Sequence, residues 1–132
     1  MLRLEIVTPE KKIYSDDVES VVVPGSEGEL GILTDHVALM TMLQPGELRV
    51  LKDGKELRMA VGSGFVEVSD NKVAVLTDMA VAESDIDDTA AEEAIARAEA
   101  ALRDNKLNDE EYATVRASLQ KSIALVRVKR RR

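Results

Sequence analysis

The sequence predicts an α+β chain: an all-β sandwich or barrel over residues 1–83, then an antiparallel two-helix hairpin over residues 84–132. Three observations carry that prediction. Every Gly (25, 28, 31, 46, 54, 62, 64) and every Pro (9, 24, 45) precedes residue 65. Thirteen of the sixteen Val precede residue 84, whereas ten of the fifteen Ala follow it. Valine punctuated by Gly and Pro reads as short strands and turns, and Ala among Glu and Arg reads as helix. At 132 residues, with 45% hydrophobic side chains, the chain has apolar surface enough for a core that needs no disulfide or metal.

The strands follow from alternation. Leu2, Leu4 and Ile6 alternate with Arg3 and Glu5, giving a half-buried strand closed by Thr8-Pro9. Further strands are expected from Val18 to Val23, Leu48 to Lys52, Leu57 to Val61, Phe65 to Val68 and Val73 to Thr77. Asp53-Gly54 is a hairpin turn, because Asp and Gly tolerate the positive φ of a primed turn, and Ser69-Asp70-Asn71-Lys72 makes a second. Eight or more short strands in this length bury two inner faces only by stacking two sheets or closing a barrel.

The helices follow from caps and stripes. Thr89-Ala90-Ala91-Glu92 has capping-box spacing, with Asp87 and Asp88 favouring the positive helix start. Ala91, Ala94, Ile95, Ala98 and Leu102 then form a narrow apolar stripe that ends around Arg103-Asp104-Asn105-Lys106. Asn108-Asp109-Glu110-Glu111 repeats the cap and opens a helix with Tyr112, Val115, Leu119, Ile123 and Val126 at 3–4 spacing. Stripes this rich in Ala stabilise little, so the pair is expected to be marginal away from a partner surface and able to move.

Composition excludes much chemistry. With no Cys and a single His, the chain cannot build a zinc finger, an iron–sulfur site, a thiol nucleophile or a redox motif. Tyr14, Phe65 and Tyr112 are its only aromatics, so base stacking has no platform, and a net charge of −7 argues against nucleic acid. Residues 1–83 hold 8 basic and 15 acidic side chains, and residues 84–132 hold 10 of each, so the excess negative charge belongs to the first part. The basic end at 127–132 (Arg127, Lys129, Arg130, Arg131, Arg132) suits an acidic partner surface or anionic lipid, or complements a helix C-terminus. His36 has no nucleophile motif around it, so a hydrolase reading is disfavoured. Gly25, Gly28 and Gly31 read as a tight acidic turn presenting Glu29 rather than as a phosphate cradle, since no helix opens there. The longest apolar runs are too short to span a membrane, and the start lacks the order of a signal peptide, so a cytoplasmic-side protein is expected.

The order Gly25-Ser26-Glu27-Gly28-Glu29-Leu30-Gly31-Ile32-Leu33, Asp35-His36-Val37-Ala38-Leu39, Gly46-Glu47-Leu48-Arg49-Val50 and Gly62-Ser63-Gly64-Phe65-Val66-Glu67-Val68, before an Asp-Ile-Asp step into an Ala-rich helix, carries a resemblance. Along essentially all 132 residues the chain resembles the epsilon subunits of the F-type rotary ATP synthase. The resemblance implies a sandwich of about ten strands on the rotor's central stalk, touching the gamma subunit and the membrane ring of c subunits. Glu29, Leu30, Gly31, Ile32 and His36 are its implied interface, and Arg127, Lys129, Arg130, Arg131 and Arg132 its regulatory tail. The hairpin of such subunits lies folded on the sandwich or extends along gamma toward the alpha/beta catalytic head, where it hinders ATP hydrolysis.

The implied function is therefore a non-catalytic subunit coupling proton translocation to ATP synthesis and restraining hydrolysis. It would be peripheral to the membrane on the cytoplasmic face of a bacterial inner membrane, or the stromal face of a thylakoid. The alternative is a free-standing β-sandwich adaptor that docks an acidic protein. Three departures stand out. Thr34-Asp35-His36 replaces a usual Pro-Gly-His, and Ser63 separates a usually adjacent glycine pair. Some relatives bind ATP through Ile/Leu-Asp-x-x-Arg-Ala, and here Ala90 replaces the Arg. Asp87 and Arg97 remain as ATP candidates, but a methyl cannot replace a phosphate-binding guanidinium, so no cofactor is expected.

Overall fold

Alternating side chains face opposite sides of a strand, and ten strands exploit this in the structure, a computed structural model that describes residues 1–104 and 106–130. In chain order they are β1 (Leu2–Val7), β2 (Lys12–Val18), β3 (Ser20–Gly25), β4 (Gly28–Leu33), β5 (Leu39–Leu43), β6 (Gly46–Lys52), β7 (Lys55–Val61), β8 (Gly64–Ser69), β9 (Lys72–Thr77) and β10 (Ala80–Ala82). A 3-10 turn at Glu83–Asp85 leads into α1 (Asp88–Leu102) and α2 (Asp109–Arg130).

The hydrogen-bonded path runs β10-β7-β6-β3-β5-β8-β9-β1-β2, with β4 added to β3. Its neighbours are antiparallel except β1 and β9. The path folds over at β3, whose Ser20, Val21 and Val22 pair with β6 while Gly25 pairs with Leu43 of β5. An ion pair between Lys52 of β6 and Asp16 of β2 links the two layers again at the far end. Between the layers, Leu2, Leu4, Ile6, Val18, Val21, Val23, Ile32, Leu48, Val61, Val66, Val73 and Val75 are wholly buried.

Both expected hairpin turns form, with positive φ at Asp53 and Gly54 and at Asp70 and Asn71. The single strand expected from Val18 to Val23 is two strands. Val18 and Val21 are both buried although three apart, which continuous pleating forbids, so the chain breaks at Glu19. The acidic turn expected around Glu29 is shorter than expected. It ends at Gly28 (φ 120°), and Glu29 to Leu33 are extended against β3. Strands β5, β10 and most of β2 fall outside the expected set, because β10 has three residues and β2 is largely Lys, Ser and Asp.

The N-cap of the first helix lies two residues earlier than expected. Asp87, not Thr89, is the N-cap, accepting a 3.0 Å hydrogen bond from the Ala90 amide. That placement lets Ile86 bury against Ala60 and Val128. The second cap forms as expected, with Asn108 Oδ1 2.8 Å from the Glu111 amide and Glu111 Oε1 3.1 Å from the Asn108 amide.

The stripe on α2 is rotated from expectation. Tyr112 and Ile123 are 44% and 36% exposed, while Ala124 and Val128 are buried. A single-stripe reading fails here because α2 packs on two surfaces, α1 on one side and β6, β7 and the 3-10 turn on the other. The seat on the sandwich is small: Ala60, Ile86 and Val128, flanked by Met79, Val81 and Leu125. Burial of Ile86 and of Val128 contributes about 1.5–3 kcal/mol each.

Core position and charge pairing generate two predictions. Leu4→Ala should cost about 2–5 kcal/mol in urea unfolding, whereas Leu33→Ala on the surface should cost under about 0.5 kcal/mol. Glu5 of β1 sits between Lys12 of β2 (2.8 Å) and Lys72 of β9 (2.9 Å). Hydrogen bonds from Lys12, then Lys72, hold its carboxyl down at about 2 against an ordinary 4.5. A depressed carboxyl stabilises the fold above its unfolded pKa and ceases to do so as pH falls through the folded one. Acid titration of Glu5→Gln should therefore show less loss of stability between pH 4.5 and about 2 than the natural chain does.

Candidate functional site

Five of the candidate residues lie on β4 and in the loop that follows it. Glu29, near the start of β4, is exposed and ion-paired with Arg49 of β6, its two oxygens 2.7 and 3.3 Å from the guanidinium nitrogens. Arg49 also donates to Glu47 at 3.0 Å, and Glu29, then Glu47, push the guanidinium pKa further up. Glu29 is thus held flat along the sheet rather than projected from a turn. Along the rest of β4, Gly31 is exposed, Leu30 packs partly against the core and Ile32 is wholly buried. The surface available from this strand is Glu29, Gly31 and the exposed Leu33.

His36 lies half-buried in the connection between β4 and β5. Its amide donates to the Leu33 carbonyl at 3.1 Å, and Nδ1 lies 2.8 Å from the Val37 carbonyl, to which it donates when it carries the proton. The loop is clasped to the β8–β9 turn, where the Asp35 amide donates to Asn71 Oδ1 at 2.6 Å and Asn71 Nδ2 donates back to Asp35 Oδ1 at 3.3 Å. Asp35 holds a positive φ of 66° there. Asp35 therefore anchors this loop to the β8–β9 turn.

A surface that the sequence reading passed over is the outer face of β5, β8 and β9. Met40, Met42, Phe65 and Leu76 are 64%, 58%, 49% and 48% exposed. Met42 stands opposite Phe65, and Phe65 opposite Leu76, so the three form one row across three strands. Parity was the available signal. Val66, Val68, Val73 and Val75 face the core, so Phe65 and Leu76 must face out. These apolar side chains form a contiguous outward row rather than singly scattered exposure.

The ATP candidates are not brought together. Asp87 is occupied in capping α1, Arg97 is exposed on that helix, and the cavity of about 500 Å³ between the helices is lined by Ile95, Ile123, Val126, Arg127 and Arg130. Two of the tail residues, Lys129 and Arg130, are engaged within the chain. Arg130 pairs with Asp88 (3.5 Å) and with Glu92 of α1, and Lys129 donates to the Glu83 carbonyl at 3.3 Å. Arg127 is exposed, and Arg131 and Arg132 lie outside the described residues. Among the described residues no helix is long and apolar enough to cross a membrane.

Comparison with known proteins matches this arrangement along the chain. Residues 1–83 match the family model described as ATP synthase, Delta/Epsilon chain, beta-sandwich domain, and residues 84–130 match its long alpha-helix domain. The ATP synthase epsilon chain of Herpetosiphon aurantiacus is 41% identical over 130 residues, covering 96% of each chain. That of Pelotomaculum thermopropionicum is 48% identical over 101 residues, covering 76% of this chain and 70% of its own. The fold is shared with a chain of the Euglena gracilis mitochondrial ATP synthase OSCP/F1/c-ring structure, at TM-score 0.80 and 24% identity over 94% of this chain and 78% of the other. Family matches spanning both the strands and the helices, with relatives of this identity over most of their length, show that the chain belongs to the ATP synthase delta/epsilon family, as an epsilon chain.

Proposed function

We propose that this chain is a non-catalytic central-stalk subunit that couples rotation of the c ring to ATP synthesis and restrains ATP hydrolysis through its hairpin. The observation that carries this reading is the outward row of Met42, Phe65 and Leu76 with Met40, on a sheet whose opposite face is a packed core. Such a face docks a partner with apolar side chains, and the gamma subunit is the partner that the family supplies. A sandwich packed to interior density deforms little, which a torque-bearing adaptor requires. Glu29 and Gly31 on β4 and His36 in the loop that follows it are assigned to the c ring, the Arg49 brace fixing Glu29 and the Asn71 brace fixing the His36 loop.

The hairpin reading rests on the size of its seat. A contact of Ala60, Ile86 and Val128 with three flanking side chains is small enough to open without unfolding the sandwich. Released, α2 has 22 residues and spans about 33 Å, long enough to reach along gamma toward the alpha/beta head. Because Lys129 and Arg130 already have partners in the docked form, extension exchanges one set of contacts for another at these two residues.

The docking assignment predicts that Phe65→Glu lowers recovery of the chain with gamma from membrane extracts at least tenfold, as loss of an interface anchor does. Leu57→Glu, on β7, should leave recovery within about twofold of the natural chain. Equal recovery of both variants would remove the face from the interface. The hairpin assignment predicts that a chain ending at Asp85, which keeps all ten strands, folds, binds gamma and leaves the assembled complex hydrolysing ATP faster than the full chain does. An unchanged hydrolysis rate would take the brake away from the helices.

A further inference from the structure

The face that α2 turns to the sandwich has a polar residue at each end and an apolar middle. Lys121, Ala124, Leu125, Val128 and Lys129 share one helical face. Leu125 and Val128 fill the apolar seat, and Lys129 reaches the Glu83 carbonyl. At the other end Lys121 Nζ lies 2.7 Å from Asp78 Oδ2. Among the described residues this is the ion pair that joins α2 to a side chain of the strand domain, since Arg130 pairs within the hairpin.

Asp78 is also held from the sandwich side, independently of Lys121. It lies between β9 and β10, against the corner Gly62-Ser63-Gly64 that joins β7 to β8. Ser63 donates its amide to Asp78 Oδ1 at 3.1 Å, and its carbonyl accepts from the Asp78 amide at 3.1 Å and the Thr77 hydroxyl at 3.1 Å. A Cβ at Gly62 would run into the Asp78 carboxylate, so glycine is required for this close approach. Ser63, the residue that separates the two glycines, thus supplies the donor that fixes one carboxylate oxygen and leaves the other facing α2. A fixed partner means less rotamer freedom is lost on pairing than when two mobile side chains meet.

We propose that the Ser63-held Asp78 is the latch of the hairpin, its pair with Lys121 setting the ratio of docked to released α2 and making release sensitive to salt. This rests on the reading of the hairpin as releasable and adds the residue that controls it. Screening acts on the part-exposed Asp78–Lys121 pair far more than on the apolar seat, so rising salt weakens the latch and spares the rest. An exposed pair shifts such a ratio by up to about fivefold.

The full chain contains no Cys, so two introduced cysteines, replacing the exposed Lys55 on β7 and Ala117 on α2, report the distance between sandwich and hairpin by single-molecule energy transfer. Asp78→Asn keeps an acceptor for the Ser63 amide and loses the charge. Lys121→Met removes the charge from the other side without touching the corner. Each should raise the released-to-docked ratio about two- to fivefold at low salt, and the double variant should go no further than either. Raising salt to roughly 0.5 M should release the natural chain and move the variants less. If both single variants keep the natural ratio and salt response while Val128→Glu releases the hairpin, the latch is overturned and the releasable hairpin stands. If Val128→Glu releases nothing either, the releasable hairpin falls and the latch with it.

Discussion

Strand β3 has three partners, and the rest of the architecture depends on how it holds them. It carries β4 along its whole length, β6 beside Ser20–Val22 and β5 at Gly25 alone. A strand in a sheet has two edges, so a third partner is possible only where one neighbour gives way to another. Pro24 has no amide hydrogen to continue the β6 ladder, and Gly25 permits the approach of Gly28, whose carbonyl a Cβ would meet at 2.9 Å. The change of partner sends β5, β8 and β9 into the opposing layer. Their valines then face the β3 and β6 side of the core, and their outer row of Met and Phe side chains becomes a surface.

Helical stability here is borrowed from the sandwich. On α1 the buried residues are Ala91 and Ala98, and on α2 Ala124 and Val128, too little apolar area for two isolated helices to hold together well in water. Ile86 and Val128 meeting over Ala60 join the two parts. The links from sequence to function are direct at this point. Small side chains allow the helices to lie close but stabilise them weakly, and such weak seating is what the proposed regulatory role would draw on.

Charge is organised locally in spite of the net −7. Glu29 and Glu47 share Arg49, Glu5 takes both Lys12 and Lys72, Arg58 is paired with Glu83 at 2.9 Å, and Asp16 is matched to Lys52. Three of these six pairs cross between neighbouring strands or between layers, and such pairs fix register and shape more than they add net stability. The acidic residues without such partners keep the surface negative, a property that acts on approaching partners and not on the fold.

Local signals settled a good deal in advance. Gly and Pro placement with the Val-to-Ala change separated strands from helices, Asp53-Gly54 and Asp70-Asn71 specified their turns, and Asn108 with Glu111 specified a helix start, because each of these depends on φ preferences or on groups three residues apart. The order of glycine-rich motifs pointed to the family. What required the fold was every choice involving distant residues. Asp87 rather than Thr89 caps α1 because Ile86 has to reach Ala60 and Val128. The α2 face is rotated because that helix packs on two surfaces. Ile32 goes inward and Glu29 lies beside Arg49 because β4 is extended on β3. The Phe65 row and the Asp78–Lys121 pair arise only when strands and helix far apart in the chain are brought side by side, and no local pattern states which distant residue will arrive there.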